Sequence, residues 1–305
     1  MCKREVTTMI KCQNLTKRFG SFTALDKVNC TIEDGKIYGM VGSNGAGKST
    51  FLRLLSGIYK ADGGTAELDG ESVYENPSVK SKIAFVPDEL YFLGGASMNR
   101  MAKMYDDLFP NFDRGRFADM TVKFGLDPGK SLNTFSKGMR RQALTILALS
   151  TRPKYIFFDE TFDGLDPVMR NYVKSLICRD VIDEGSTAII TSHSLRELED
   201  TCDQLALLHK GGMILESDVQ NLKTERFKIQ IAFNREYDLD LFKDIEVVRY
   251  TKQGSVSRLI VKGDRDSIVN KLTSLNPILL DVLPLTLEEV FTYEMEALGY
   301  TFDLN

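Results

Sequence analysis

The stretch Lys36-Ile37-Tyr38-Gly39-Met40-Val41-Gly42-Ser43-Asn44-Gly45-Ala46-Gly47-Lys48-Ser49-Thr50 decides how this chain is read. Its first six residues have the apolar pattern of a buried strand. Beyond it, Phe51, Leu52, Leu54 and Leu55 recur at helical spacing, and Gly57 is placed to stop that helix. A strand that feeds a Gly-rich turn into a helix aims several backbone N–H groups, and the positive end of the helix dipole, at one point. That geometry suits a phosphate. Glycines at 42, 45 and 47 let the backbone approach closely. Lys48 adds a point charge for β- and γ-phosphates, and the Ser49 hydroxyl is set to ligate Mg²⁺. The residues from Gly42 to Thr50 meet the full G-x-x-x-x-G-K-[ST] pattern in the strand-to-helix context it requires.

Upstream of this cradle, strand patterns at Thr8 to Cys12 and Val28 to Ile32 flank Phe19, an aromatic able to stack on a purine. Downstream, Thr65 to Leu68 reads as a strand with a tight turn at Asp69-Gly70, and Ile83 to Val86 as a buried strand ending at Pro87-Asp88-Glu89. From Gly94 to Asn133 the pattern turns helical, with Met98, Met101, Ala102, Met104 and Tyr105 on one stripe and Phe117, Met120 and Phe124 on another. Ser136 is an N-cap candidate for a helix through Leu149, whose first N–H groups offer a second anion site.

Tyr155 to Phe158 is a buried-strand pattern that delivers Asp159 and Glu160 at its C-terminal end, where doubly wound sheets bind ligands. Asp159 offers hard oxygen to Mg²⁺, directly or through water, and Glu160 is positioned to orient an attacking water. After a turn at Asp163-Gly164-Leu165-Asp166-Pro167 the pattern predicts a helix over Val168 to Cys178. A strand from Thr187 then ends at His193, whose imidazole can hydrogen-bond a γ-phosphate; His209 reads as structural. The composition changes near Asn221. Phe227, Ile229, Ile231 and Phe233 alternate, Val256 to Val261 follows a turn at Gly254, and Asp266 to Ser274 reads as a helix. A capping box of Thr286 and Glu289 opens a last helix that Gly299 would stop.

Of 305 residues, 43% are hydrophobic and 27% charged, the balance of a soluble globular protein. A net charge of −4 gives no global attraction to nucleic acid or anionic lipid, and no nucleic-acid partner is expected. The five cysteines are widely spaced, odd in number and without a C-x-x-C pair, which argues against a disulfide scaffold or zinc module and for a reducing, intracellular setting. No apolar run approaches the roughly 18 residues needed to span a bilayer, so a membrane role would be peripheral.

Taken together, the motifs resemble the nucleotide-binding subunit of an ABC transporter. Gly42 to Thr50 resembles the family's Walker A, Tyr155 to Glu160 its Walker B with catalytic Glu, and Ser136-Lys137-Gly138 its signature. Gly164-Leu165-Asp166 resembles the D-loop, His193 the switch histidine and Phe19 the adenine-stacking aromatic. The resemblance implies an α/β fold: a P-loop ABC-ATPase core over about residues 5–220, with a mixed sheet and a helical subdomain at about 94–150. Residues 221–305 then form a small α+β accessory domain. It implies ATP and Mg²⁺ as cofactors, Glu160, His193 and Lys48 as catalytic residues, and Ser49 and Asp159 as metal ligands. It also implies a head-to-tail homodimer, or a heterodimer with a related ATPase, in which Ser136 and the Gly138 backbone cover the partner's ATP, and it makes Asp166 of the D-loop a nucleotide-binding residue. The membrane partner would be a separate permease, with this chain peripheral on the inner face of the cell membrane and transport, for this bacterial subgroup, often export.

Two positions depart from the family pattern. The usual Gln after the strand at Ile83 is Asp88, which can still approach Mg²⁺ but brings a charge, and the second signature glycine is Lys137, which is tolerable at helical φ. The alternative is a soluble ABC-type regulatory ATPase not coupled to transport. Soluble relatives acting on ribosomes or DNA usually carry two cassettes or a long coiled-coil insertion, and neither is present. A small GTPase is disfavoured because no Asn-Lys-x-Asp guanine-reading motif occurs.

Overall fold

The computed structural model describes residues 8–224 and 226–297 and divides the chain into two compact units, one ending at Glu216 and the other beginning at Ser217. The first opens with a hairpin of β1 (Thr8–Phe19) and β2 (Phe22–Glu33). Then come β3 (Ile37–Val41), α1 (Lys48–Leu55), β4 (Gly63–Leu68), β5 (Glu71–Ser72), α2 (Pro77–Lys80) and β6 (Ile83–Val86). Three helices follow, α3 (Met98–Leu108), α4 (Arg114–Lys123) and α5 (Lys137–Ser150). The unit continues through β7 (Tyr155–Asp159), α6 (Pro167–Glu184), β8 (Thr187–Ser192), α7 (Leu195–Leu198), β9 (Gln204–His209) and most of β10 (Gly212–Asp218), the strand at whose end the division falls.

Two sheets form. The antiparallel one has the order β2-β1-β4-β5, and the second has the order β10-β9-β3-β8-β7-β6, with β9, β3, β8, β7 and β6 parallel. Every residue of β3, β7 and β8 is buried, as unbroken apolar runs require when both faces of a parallel sheet are covered. Register then places the functional residues: Val41 lies opposite Ser192 and Leu207, and Asp159 opposite Thr191. The C-terminal ends of β3, β7 and β8 therefore share one edge. The phosphate cradle, Asp159-Glu160 and His193 all emerge there.

The hairpin is longer than the sequence pattern predicts. The register shifts between Cys12 and Leu15, and Asn14 and Lys27 both take φ +49°; these bulges break the period-2 alternation that marks Thr8 to Cys12 as a strand. The turn at Asp69-Gly70 is as expected, with φ of +54° and +74° joining β4 to β5. In the helical region Met98, Phe117, Met120 and Phe124 are buried, but Met104 is exposed, because it lies beside rather than on the face of α3 that carries Met98, Met101, Ala102 and Tyr105, the last packed on Phe109 and Phe112. Likewise α6 outruns its predicted end at Cys178 and stops only at Gly185, where φ is +72°.

The second unit contains α8 (Val219–Thr224), β11 (Arg226–Ala232), β12 (Val247–Gln253), β13 (Val256–Lys262), α9 (Arg265–Ser274), β14 (Leu279–Pro284) and α10 (Leu287–Ala297). Its antiparallel sheet has the order β12-β13-β11-β14. The alternating Phe227, Ile229 and Ile231 join Leu259, Val261 and, from α9, Ile268 and Leu272 in one core. The capping box is present: Glu289 N–H donates to Thr286 Oγ1 at 3.2 Å and Thr286 N–H to the Glu289 carboxylate at 3.0 Å. The stop expected at Gly299 lies outside the described residues. Thr286→Ala is expected to cost about 1 kcal/mol, read as a lower thermal midpoint. Burial pushes the Glu289 carboxyl up, but hydrogen bonds from Lys228 and the Thr286 amide pull it further down, so its folded pKa lies below the unfolded one. Its stabilisation is full above the unfolded value and fades as pH falls through the folded one, which Glu289→Gln should abolish.

Among the described residues no helix is long and apolar enough to cross a membrane.

Candidate nucleotide site

A cavity of about 260 Å³ is lined by Phe19 and Phe22 from the tip of the hairpin, by Asn44 to Thr50, and by Asp88 and Glu160. It brings together an aromatic edge, a ring of backbone amides and two carboxylates. Gly47 takes φ +111°, and a Cβ there would lie 2.5 Å from the Ala24 carbonyl of β2, so the cradle is closed by a residue that must be glycine. Phe19 stands edge-on to Tyr59 at 5.5 Å and has Lys17 Nζ 5.4 Å from its centroid, yet it is 45% exposed, so ring surface remains open to a base.

Lys48 is 5% exposed. Its Nζ donates to the Gly42 carbonyl at 2.6 Å and pairs with Glu160 Oε1 at 3.1 Å. The other carboxylate oxygen of Glu160 accepts from His193 N–H at 3.2 Å and lies 2.9 Å from His193 Nδ1. With Glu160 ionised, that contact requires the proton on Nδ1. Glu160 itself has φ +48°, a left-handed conformation that costs a residue with a Cβ about 1–2 kcal/mol. Its N–H is held by the Thr191 hydroxyl at 3.2 Å.

Asp159 is fully buried. One oxygen accepts from the Thr191 hydroxyl at 2.8 Å, while the other has no hydrogen-bond partner. Burial pushes its carboxyl above the usual range, against the hydrogen bond from Thr191 and the opposing pull of the nearby Ser49 hydroxyl. A desolvated carboxylate oxygen beside the first helical hydroxyl of the cradle is a donor set that fits Mg²⁺. Among the described residues there is no cluster of three His, Cys, Asp or Glu, so remaining ligands would come from nucleotide and water.

Asp88 lines the cavity, but not as a free carboxylate: Oδ1 is bound by Arg141 at 2.7 Å. The charge expected to disturb the site is half of an ion pair. Lys137 opens α5 with helical backbone, so its side chain causes no strain there, and it pairs with Asp163 at 2.7 Å. Ser136 caps α5, accepting from Met139 N–H at 3.2 Å. A Cβ on Gly138 would meet the Gly164 carbonyl at 2.8 Å, so the signature turn lies against the D-loop backbone. Asp166 caps α6, accepting from the N–H groups of Val168 and Met169 at 3.0 Å. Ser136, Gly138 and Asp166 do not line the cavity of their own chain. Three contributors escape the sequence reading: Phe22, Thr191 and Arg141. None of the three is marked by the sequence: Arg141 stands between Arg140 and Gln142, and only its burial singles it out.

The fold and the cradle define a P-loop nucleotide-binding cassette. A family model described as ABC transporter matches residues 25–163. The ABC transporter ATP-binding protein YtrB of Bacillus subtilis is 30% identical over 283 residues, covering 93% of this chain and 97% of YtrB. The bacitracin transport ATP-binding protein BcrA of Bacillus licheniformis is 27% identical, over 93% of this chain and 94% of its own. In Streptomyces peucetius the daunorubicin/doxorubicin resistance ATP-binding protein DrrA is 32% identical, covering 72% of this chain and 68% of that one. Among solved structures, the dimeric bacterial ABC transporter cassette MJ0796 superposes with a TM-score of 0.64 at 20% identity, over 69% of this chain and 99% of that one. The chain belongs to the ABC transporter family, as one of its ATP-binding proteins.

Proposed function

We propose that this chain hydrolyses ATP to power export through a separate integral membrane permease, on whose cytoplasmic side it docks. The observation that carries the reading is Glu160, whose two carboxylate oxygens are committed to Lys48 of the phosphate cradle and to His193. Residues 5–220 form the ATP-binding domain and 221–305 an accessory one.

ATP enters with its base against Phe19 and its phosphates on the amides of Asn44 to Thr50. Lys48 neutralises the β/γ-phosphates, and as it turns to them it releases Glu160, which then accepts a proton from the attacking water. His193 holds the Glu160 carboxylate and the γ-phosphate in register. Mg²⁺, held by Ser49 and Asp159, would supply charge neutralisation at the phosphate oxygens, with Asp88 committed to Arg141 instead. Ser136, Gly138 and Asp166 act on the nucleotide of a second chain, since none of them faces its own cavity. The names of DrrA and BcrA, which speak of drug resistance and bacitracin transport, support export as the direction.

ATP can drive closure only as far as it binds the closed dimer better than open monomers. The Glu160→Gln variant, which should bind without turning over, is therefore expected to be monomeric alone and dimeric at saturating ATP by light scattering. A monomer in both conditions would count against the head-to-tail sandwich.

A further inference from the structure

Arg141 is a fully buried cation that ties three segments of the site together. It lies on α5, five residues after the Ser136 cap. Its Nη2 donates to the Asp88 carboxylate at 2.7 Å and to the Asp88 carbonyl at 2.9 Å, while Nη1 donates to the main-chain carbonyl of Glu160. That carbonyl also accepts from Asp163 N–H at 3.1 Å. With Thr191 holding the N–H, the left-handed Glu160 residue is pinned on both sides.

Removing the carboxylate from a buried guanidinium is strongly destabilising, because the remaining charge has lost its partner in a medium that solvates it poorly. Asp88 is the acid that bonds Arg141, and a neutral Gln at position 88 would leave that charge uncompensated. The opposite change is milder. Asp88 is 43% exposed, so water can solvate it when Arg141 is gone.

We propose that Arg141 is a positioning residue for ATP hydrolysis: neutralised by Asp88, its guanidinium fixes the Glu160 peptide so that the carboxylate faces Lys48, linking the Asp88 loop and the signature helix to the base. The proposal rests on Glu160 being that base. It accounts for the acid at position 88 as the counter-charge of Arg141, and it makes the two residues one unit.

The test is steady-state ATPase kinetics of the full chain, with fluorescent ATP-analogue binding and thermal unfolding measured alongside. Arg141→Gln is expected to lower kcat about tenfold or more, with KM and nucleotide affinity within twofold of the parent. Arg141→Lys, which keeps the charge but cannot span both carbonyls, should show the same kcat loss. Asp88→Gln should lower the unfolding midpoint more than Arg141→Gln does, and the double variant Asp88→Gln/Arg141→Gln should recover most of that midpoint. In a Glu160→Gln background, Arg141→Gln should change turnover less than twofold, since there is no base left to position. Parental kcat in Arg141→Lys, or kcat losses of Arg141→Gln and Glu160→Gln that simply multiply in their double variant, would overturn the proposal. So would a shift in Mg²⁺ dependence caused by Asp88→Gln and not by Arg141→Gln, since Asp88 would then act as a metal ligand alone. Near-parental turnover in Glu160→Gln itself would instead count against the base assignment.

Discussion

Glu160→Gln is expected to lower ATP turnover by about 10²-fold or more while ATP binding survives. The substitution keeps the side chain's length and its ability to accept from His193 N–H, which now lies 3.2 Å away, so the turn after β7 has little reason to move. What is lost is a basic oxygen at the place where a water would approach the γ-phosphate. Binding should hold or tighten, because Glu160 Oε1 is also the counter-ion of Lys48 at 3.1 Å, and a neutral amide no longer competes with phosphate for that ammonium. Phosphate release measured under single-turnover conditions checks the first part, and equilibrium binding of labelled ATP the second. Near-normal hydrolysis would remove Glu160 from the role of base.

Most of the frame around this residue is legible in the sequence because local rules and tertiary packing agree there. An unbroken apolar run, a glycine-rich turn and a helical stripe specify β3, the cradle and α1 without reference to anything distant, and the same holds for β7 ending in Asp159-Glu160. The hairpin is less legible, since the bulges around Asn14 and Lys27 erase alternation even though Leu15, Leu25 and Val28 are all core residues. Departures from the family pattern are the hardest to weigh from sequence. Asp88 reads alone as an intrusive charge and Lys137 as a possible source of strain; the structure gives each an opposite charge, Arg141 and Asp163, that lies 53 and 26 residues away in the chain. Such pairs are invisible to periodicity. The strained backbone at Glu160 is likewise a tertiary product, stabilised by Thr191 and Arg141 from β8 and α5.

Lys48→Ala is expected to weaken ATP binding by about 10- to 10²-fold, the scale of a lost charge-assisted hydrogen bond of about 1.5–3 kcal/mol, and to take turnover below detection. The effect on binding should be the reverse of that in Glu160→Gln, and the geometry explains why. Lys48 is nearly buried, and it is held by the Gly42 carbonyl at 2.6 Å and by Glu160. The cradle therefore carries its cation already aimed and already partly stripped of water, so little ordering cost remains when phosphate arrives. Without it, the amides of Asn44 to Thr50 still point at the phosphates, which preserves weak binding, but the Glu160 carboxylate is left facing them with no intervening positive charge. Anion would then meet anion across the site, and the penalty should fall more heavily on ATP than on ADP, whose phosphates do not extend to Glu160. Equilibrium binding of both nucleotides to Lys48→Ala at matched ionic strength tests this. Equal losses for ATP and ADP would show that Lys48 serves the β-phosphate alone, and that the Lys48–Glu160 pair has no part in distinguishing the two.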